Sequence, residues 1–129
     1  KPLTSFTTHL TFLAYLSLVG NYLQGSYSLS SLGNHSKLEL LGISSKSSAS
    51  AQIEFEKTSW LPKFQFQSLF LQRCNLNKNK GSIIHRFLLY QYNLHFIDLS
   101  NNKLVGEFPS WLIKNNTRLH IIYLRHNSI

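Results

Sequence analysis

A spacing of apolar residues, asparagine and glycine in residues 94–106 constrains the fold most, because the same spacing recurs along the chain. Written as a template, it is L-x-x-(L/I)-x-L-x-x-N-x-L-x-G. Matching stretches begin at Leu13, Leu38, Phe66, Leu94 and Leu119, at intervals of 25, 28, 28 and 25 residues. A recurring interval of this length indicates stacked units that share one continuous core and contact only their neighbours.

Each copy contains an alternation of apolar and other residues that predicts a short β-strand. Period-two alternation places two apolar side chains on one face of a strand and their neighbours on the other. The predicted core positions are Leu16 and Leu18, Leu41 and Ile43, Leu69 and Leu71, Ile97 and Leu99, and Ile122 and Leu124. Stacking the copies pairs these strands in parallel, with neighbours about 4.8 Å apart.

The turn after each predicted strand buries backbone N–H and C=O groups that need hydrogen-bond partners. Asn21, Asn102 and Asn127 occupy one template position, and an asparagine side chain supplies both donors and an acceptor. Cys74 takes this position in the third copy, where a small buried thiol can replace the amide. Lys46 takes it in the second copy and cannot serve, because a cation would be buried there unpaired. We therefore expect a structural ladder of Asn21, Cys74, Asn102 and Asn127, interrupted at Lys46.

The match to the template is also lost in residues 44–50, which are rich in Ser, Lys and Ala and include Lys46. We predict a looped-out, irregular insertion around residues 44–65. Elsewhere the connections should be loops or short 3-10 turns, and Pro109 can begin such a turn because its missing N–H is tolerated at the first position. Residues 1–129 then form a single array of about five repeats. Neither end has the polar outer face of a capping repeat, so we interpret the chain as an internal piece of a longer protein.

These motifs resemble a known family. Residues 13–25 and 94–109, the latter ending in Leu-Val-Gly-Glu-Phe-Pro, are similar to the plant extracellular leucine-rich repeat. The run Phe-Gln-Phe-Gln-Ser-Leu-Phe-Leu-Gln-Arg-Cys-Asn-Leu and the later Asp-Leu-Ser-Asn-Asn-Lys-Leu resemble the ectodomains of plant receptor-like proteins. The resemblance covers essentially the whole chain. It implies an α/β-type solenoid: a right-handed superhelix with a parallel β-sheet on its concave face and loops or 3-10 turns on its convex face.

The same resemblance implies a function. A receptor-like protein has a long repeat region on the extracellular side of the plasma membrane and one membrane span, which is not in this sequence. It signals in defence or development through a partner co-receptor kinase. Whether the parent protein carries a kinase domain or a short tail stays open. Two alternatives also stay open: a secreted leucine-rich repeat protein, such as an inhibitor of cell-wall enzymes, and an intracellular repeat scaffold.

The side chains that alternate with the core leucines form the concave face, which is the largest regular surface available to a ligand. Exposed aromatic rings beside charged groups are typical anchors of protein and peptide interfaces. The ligand-binding candidates are Tyr15, Phe70, Gln72, Phe96, Asp98, Tyr123 and Arg125. We expect an extracellular peptide, protein or glycan ligand, although scattered exposed apolar residues are also normal on a surface without one.

Two N-x-S/T sequons begin at Asn34 and Asn115. Each asparagine lies four positions before the first leucine of the next copy, so both should share one solvent-facing position of the repeat. We therefore predict glycosylation at both asparagines, which would require an extracellular protein.

Other functional classes receive little support from the sequence. The six histidines lack a carboxylate or thiolate set at metal-ligand spacing, and no nucleophile elbow or phosphate-binding loop is present. We expect no enzyme activity, metal or cofactor.

Charge and hydropathy argue against two further partners, a nucleic acid and a membrane that this chain itself would span. The formal net charge of +8 would permit a polyanion, but the basic residues are scattered through predicted turns, so we expect no nucleic-acid partner. The apolar residues 10–19 fall far short of the roughly 20 that span a bilayer. Any membrane attachment would come from parts of the parent protein outside this sequence.

Overall fold

A computed structural model describes residues 9–46, 51–54, 62–76, 78 and 86–129 of the chain. Its main sheet contains five parallel strands in the order in which they follow along the chain. These are β1 (Tyr15–Asn21), β3 (Leu40–Ser45), β5 (Ser68–Gln72), β6 (Phe96–Asp98) and β7 (Ile121–Tyr123). A second, two-stranded sheet pairs β2 (Gly25–Ser28) with β4 (Ala51–Glu54).

The register of the main sheet aligns the same template position in every strand. Leu16 pairs with Leu41, Leu41 with Leu69, Leu69 with Ile97, and Ile97 with Ile122. A shift of one residue would move every core side chain to the other face, so this alignment is what keeps the leucines inside. The parallel sheet with its stacked connections confirms the predicted solenoid class.

The inward side chains form one continuous core. Leu41, Ile43, Leu69 and Ile97 in the middle strands are fully buried, each at 0% exposure. Leu18 in β1, Ile122 in β7 and Leu124 directly after β7 are only partly buried, because an outer strand has a neighbour on one side. Full burial of such a side chain stabilises the fold by roughly 1.5–3 kcal/mol.

The looped-out insertion predicted around 44–65 is wrong for residues 51–54. They form β4, which pairs in parallel with β2 and places Ile53 opposite Tyr27. Ala51 and Ile53 are fully buried, so the segment Ala-Gln-Ile-Glu has the alternation of a half-buried strand. The prediction failed because the preceding Ser- and Lys-rich run hid this short period-two signal. Ser44 and Ser45 also belong to β3 rather than to an insertion, and residues 47–50 and 55–61 lie outside the described part.

The opposite side of the main sheet is covered by short elements. In the described part of the chain these are 3-10 turns at Leu29–Leu32 and Arg86–Tyr90 and a six-residue helix, α1 (Ser110–Asn115), which begins directly after Pro109. Leu112 of α1 is buried at 1% exposure, and Trp111 packs against the core. Among the described residues, no helix has the length and hydrophobicity needed to cross a membrane.

Candidate functional site

Three aromatic rings form a row on the concave face, one from each of β5, β6 and β7. The ring centroids of Phe70 and Phe96 are 4.6 Å apart, and those of Phe96 and Tyr123 are 5.6 Å apart with nearly perpendicular planes. Both contacts run diagonally between adjacent strands, since Phe70 and Tyr123 are each paired with Asp98 in the register. Each such aromatic pair stabilises the fold by about 0.5–1.5 kcal/mol beyond the burial of its surface, so the three rings hold one another in place.

Polar side chains continue the row at the carboxyl ends of the strands. The guanidinium carbon of Arg125 lies 5.0 Å from the ring centroid of Tyr123, a cation–π contact. Asp98 is 4% exposed, and its carboxylate accepts hydrogen bonds from the Gln72 side-chain amide and, at 2.9 Å, from the Ser100 backbone N–H. The orientation of the carboxylate is therefore fixed from two sides.

These groups border a cleft of about 240 Å³. Its lining residues are Gln72, Asp98, Ser100, Asn101, Tyr123, Arg125 and His126. Four of the seven predicted ligand-binding candidates thus line one cleft, and Phe70 and Phe96 adjoin it through the aromatic row. Tyr15 does not take part: it lies on β1, and Gly42 of β3 leaves a gap in the row at the intervening strand.

Ser100, Asn101 and His126 were not among the ligand-binding residues predicted from the sequence. Asn101 and His126 hold the same template position, directly before the ladder asparagine, and both adopt left-handed backbone angles, with φ of 60° and 57°. Asparagine and histidine are enriched in that conformation. The signal in the sequence was therefore the residue type that precedes each ladder asparagine.

Asn102 occupies the turn beneath the cleft and is fully buried. Its side-chain oxygen accepts a hydrogen bond from the Cys74 N–H at 2.9 Å. Its NH₂ group donates to the Leu99 carbonyl in its own repeat at 2.8 Å and to the Leu71 carbonyl in the preceding repeat. One amide therefore connects two consecutive turns.

Asn127 repeats this arrangement one unit later. Its oxygen accepts hydrogen bonds from the N–H groups of Asn102 (3.2 Å) and Leu104 (2.9 Å). Its NH₂ group donates to the carbonyls of Leu99 (2.9 Å) and Leu124 (3.1 Å). The two asparagines thus lie in line along the stacking direction.

Cys74 continues the same column with a thiol. Its Sγ lies 3.0 Å from the carbonyl oxygen of Gln72 and 3.4 Å from that of Ile43 in the preceding repeat, and its single proton can be donated to either of them. Burial raises the pKa of this thiol to about 12, so it keeps its proton at neutral pH. The protonated thiol is the form that can donate, and it is a poor nucleophile.

The column changes character in the first two copies. Asn21 is exposed, and its side chain donates to the Leu18 carbonyl of its own repeat at 3.0 Å. Lys46 is exposed as well, and its ammonium lies 5.4 Å from the ring centroid of Tyr22. Here a backbone hydrogen bond joins the turns, from the Lys46 N–H to the Asn21 carbonyl at 3.0 Å.

A second column of buried amides, not selected from the sequence, precedes the strands. Gln91 and Asn116 lie three residues before Leu94 and Leu119, and they are 0% and 1% exposed. The Gln91 oxygen accepts from the Phe66 N–H at 2.8 Å, and the Asn116 oxygen accepts from the Leu94 N–H at 2.9 Å. In the sequence, each of these amides lies three residues before the leucine that opens a repeat. This constant distance is the pattern that could have identified them.

The two sequon asparagines hold the same position in the repeat, but only Asn34 lies in a turn. Asn34 is exposed, whereas Asn115 ends α1 and is half-buried. The hydroxyl residues of the two sequons, Ser36 and Thr117, are both exposed. Glycosylation of these asparagines stays a prediction.

Two histidines of adjacent copies lie near each other before the strands. The rings of His95 and His120 are 6.2 Å apart, and within the described part of the chain the buried Nε2 of His95 has no hydrogen-bond partner. Residues 9–46, 51–54, 62–76, 78 and 86–129 contain no group of three or more His, Cys, Asp or Glu side chains placed to hold a metal ion.

Comparisons with known proteins agree with this architecture. The family model described as Leucine Rich Repeat matches residues 93–115. The chain is 45% identical to Receptor-like protein 1 of Arabidopsis thaliana over 128 residues and 48% identical to Receptor-like protein 13 of the same plant over 105 residues. It is 35% identical to Cuscuta receptor 1 of Solanum lycopersicum over 124 residues.

These alignments cover 98%, 81% and 96% of this chain, but 11%, 9% and 10% of the respective relatives. The chain therefore spans about a tenth of the length of the proteins that it matches.

Proposed function

Because the chain belongs to the plant leucine-rich repeat receptor-like proteins, we propose that it is part of the ligand-recognition region of a cell-surface receptor. In this proposal the repeats lie on the extracellular side of the plasma membrane. The membrane span and the cytoplasmic part belong to other segments of the parent protein. We also propose that the chain is a single array of about five repeats, and that further repeats of the parent protein continue this array.

The observation that carries the proposal is the aromatic row beside the cleft. Phe70, Phe96 and Tyr123 contact one another across three strands, and Arg125 and Asp98 flank them. Tyrosine and arginine are enriched among the residues that dominate binding energy at protein interfaces. Their rigid arrangement lowers the entropy lost on binding.

The ligand class follows from the composition of this surface. An aromatic row bordered by a guanidinium, a carboxylate and amides can pack against apolar groups while it pairs with hydrogen-bonding groups. An extracellular peptide, protein or glycan has both kinds of group. The parent receptor would then act through a co-receptor kinase in defence or development, as the resemblance to receptor-like proteins implies.

The two sequons support an extracellular position. Asn34 is exposed and Asn115 is half-buried, each with an exposed hydroxyl residue two positions later. Secretion of the chain from plant cells followed by glycosidase digestion should lower its mass at both sites. Two unoccupied sites would instead favour the intracellular scaffold. A secreted inhibitor would carry the same glycans and differ only in parts outside this sequence.

The recognition function is tested with Tyr123→Ala and a matched tyrosine variant. Tyr123 and Tyr92 are 39% and 60% exposed, but only Tyr123 lies on the concave face. A phage-displayed peptide library and an array of plant and microbial glycans serve as probes. Tyr123→Ala should weaken the selected binders by about 1–3 kcal/mol, a typical cost for an interface anchor, and Tyr92→Ala should leave them unchanged. Equal binding by both variants would contradict the proposed surface.

A further inference from the structure

A row of exposed basic side chains follows the carboxyl ends of four consecutive strands of the main sheet. These residues, which we call the basic rim, are Lys46 after β3, Arg73 after β5, Lys103 after β6 and Arg125 after β7. Because neighbouring strands are about 4.8 Å apart, the rim presents one cation per repeat along the stacking direction.

The backbone fixes the turns that carry the rim. The Lys46 N–H donates to the Asn21 carbonyl at 3.0 Å, and the Arg73 N–H donates to the Ser100 carbonyl at 3.3 Å. Arg73 and Lys103 have φ of 52° and 56°, a conformation that non-glycine residues keep only where the surrounding structure holds them. Arg73 and Lys103 therefore extend from well-defined turns, and each of the four cations belongs to a different repeat.

The rim is not neutralised by the acidic groups described in the structure. Asp98 is buried and accepts hydrogen bonds from Gln72 and Ser100. Glu39 lies directly before β3, at the other edge of the sheet, and Glu107 lies in the turn before α1. With a formal net charge of +8 for the whole chain, the rim is a surface to which an anionic polymer is attracted.

The other edge of the sheet also carries basic residues, but in a less regular row. They are Lys37, Lys63 and Arg118, in the segments before β3, β5 and β7, together with Lys114 in α1. Before β6 this row is interrupted by the exposed Tyr92, and the sequon asparagines Asn34 and Asn115 lie on the same edge. Glycans at those positions would cover it. The turns that carry the basic rim contain no sequon.

We propose that the basic rim binds a linear acidic polysaccharide, a polyuronate with one carboxylate on each sugar. The proposal rests on the extracellular position given above, where plant cell-surface proteins meet cell-wall polymers. A polymer with one charge per unit matches a surface with one cation per repeat. Release of condensed counterions then drives binding and makes it strongly salt-dependent, as it does for other polyanions.

The adjoining cleft favours a sugar over an acidic peptide. Its lining includes the hydroxyl of Ser100, the amides of Gln72 and Asn101, and the carboxylate of Asp98. Amides and hydroxyls both donate and accept hydrogen bonds, and a carboxylate accepts them, so the set suits sugar hydroxyls. A sugar presents several hydroxyls to this set, whereas a chain of acidic residues presents only its backbone N–H groups as donors.

The experiment measures binding of the whole 129-residue chain to a galacturonate oligomer of fixed length. The rim variant combines Lys46→Gln, Arg73→Asn and Lys103→Asn, and asparagine is chosen where φ is positive because it tolerates that conformation. The control variant combines Lys37→Gln, Lys63→Gln and Lys114→Gln, which removes the same charge from the other edge. Circular dichroism verifies that each variant is folded.

The rim variant should lose about tenfold or more in affinity, with a shallower dependence on salt, because three counterion-releasing contacts are gone. The control variant should change affinity by less than about twofold. If the rim variant does not fold, Lys46→Gln and Lys103→Asn are measured singly, and each should still weaken binding more than Lys37→Gln does.

Three outcomes would overturn the proposal. Equal losses in the two triple variants would show attraction to net charge alone. Equal binding of a methyl-esterified, uncharged oligomer would exclude the carboxylates. Equally tight binding of polyglutamate of matched charge would assign the rim to acidic peptides. None of these results affects the recognition function, which depends on Tyr123 and its separate test.

Discussion

The two halves of the described structure hold their repeats together in different ways. In the first half, β1 and β3 are strands of seven and six residues, and the β2–β4 sheet adds a second backbone pairing. In the second half, β6 and β7 have three residues each, and buried amides in the turns bond to neighbouring backbones instead. A stack of repeats can therefore be joined by longer strands or by side chains at fixed positions.

Lys46 marks the boundary between the two arrangements. Arg73, Asn101 and His126, directly before the ladder position, have positive φ, and so does Gly20 in the first copy. The corresponding Ser45 instead ends strand β3 and is buried. β1 also runs through this position, as far as Asn21, so in both early copies a strand continues where the later copies turn. A ladder side chain that bonds to a neighbouring repeat therefore occurs only in the described copies whose strand ends before the turn.

Replacing Asn102 with Ala should produce the largest effect. The change leaves the Cys74 N–H and the Leu71 carbonyl buried without their side-chain partner, and each such group costs about 1–3 kcal/mol. We expect a loss of about 4 kcal/mol in the free energy of unfolding, measured by urea denaturation. The matched change Asn21→Ala, at an exposed position with a bond only inside its own repeat, should cost less than about 0.5 kcal/mol. Similar losses of unfolding free energy in the two variants would contradict the distinction between the two halves.

Ile53→Ala tests the other half of the comparison. Ile53 is fully buried in β4, and removal of such a side chain typically costs about 2–5 kcal/mol. We expect about 3 kcal/mol by the same measurement, against less than about 0.5 kcal/mol for Ser26→Ala on the exposed side of β2. A negligible effect of Ile53→Ala would mean that the segment does behave as an inserted loop.

Cys74 extends the comparison between the two halves, because it has a thiol at the ladder position where the later copies have an amide. Its pKa is raised by burial from 9.0 to about 12, so between these values the unfolded chain loses a proton that the folded chain keeps. The thiol therefore lowers stability as pH rises above about 9, by up to roughly 1.4 kcal/mol per pH unit.

Denaturation at pH 9.5 and 10.5 should show a steeper fall for the wild type than for Cys74→Ser, which lacks this group. Identical slopes would indicate a thiol that is already accessible to solvent in the folded state.

The sequence predicted the parts that follow from repetition. Leu16, Leu41, Leu69 and Ile97 lie in one register because the template repeats their spacing, and four ligand-binding candidates line one cleft because they lie on adjacent strands. It did not predict β4, whose alternation covers only four residues.

The missed residues share a cause. The repeat template is defined by its leucines and its ladder asparagine, so Gln91, Asn116 and Asn101 fall in its variable positions. Their roles depend on backbone groups of the adjacent repeat, which become partners only after stacking. Tyr15 was included for its residue type, but Gly42 on the neighbouring strand separates it from the aromatic row.

The central claim is that side chains at fixed positions satisfy the backbone groups between consecutive repeats. Hydrogen exchange at the backbone N–H groups of Phe66, Cys74 and Leu94 tests it directly, because these donate to Gln91, Asn102 and Asn116 rather than to a strand. The account predicts that they exchange as slowly as the N–H groups inside β5, and that Asn102→Ala selectively accelerates Cys74. Exchange of all three at the rate of an unstructured peptide would contradict it.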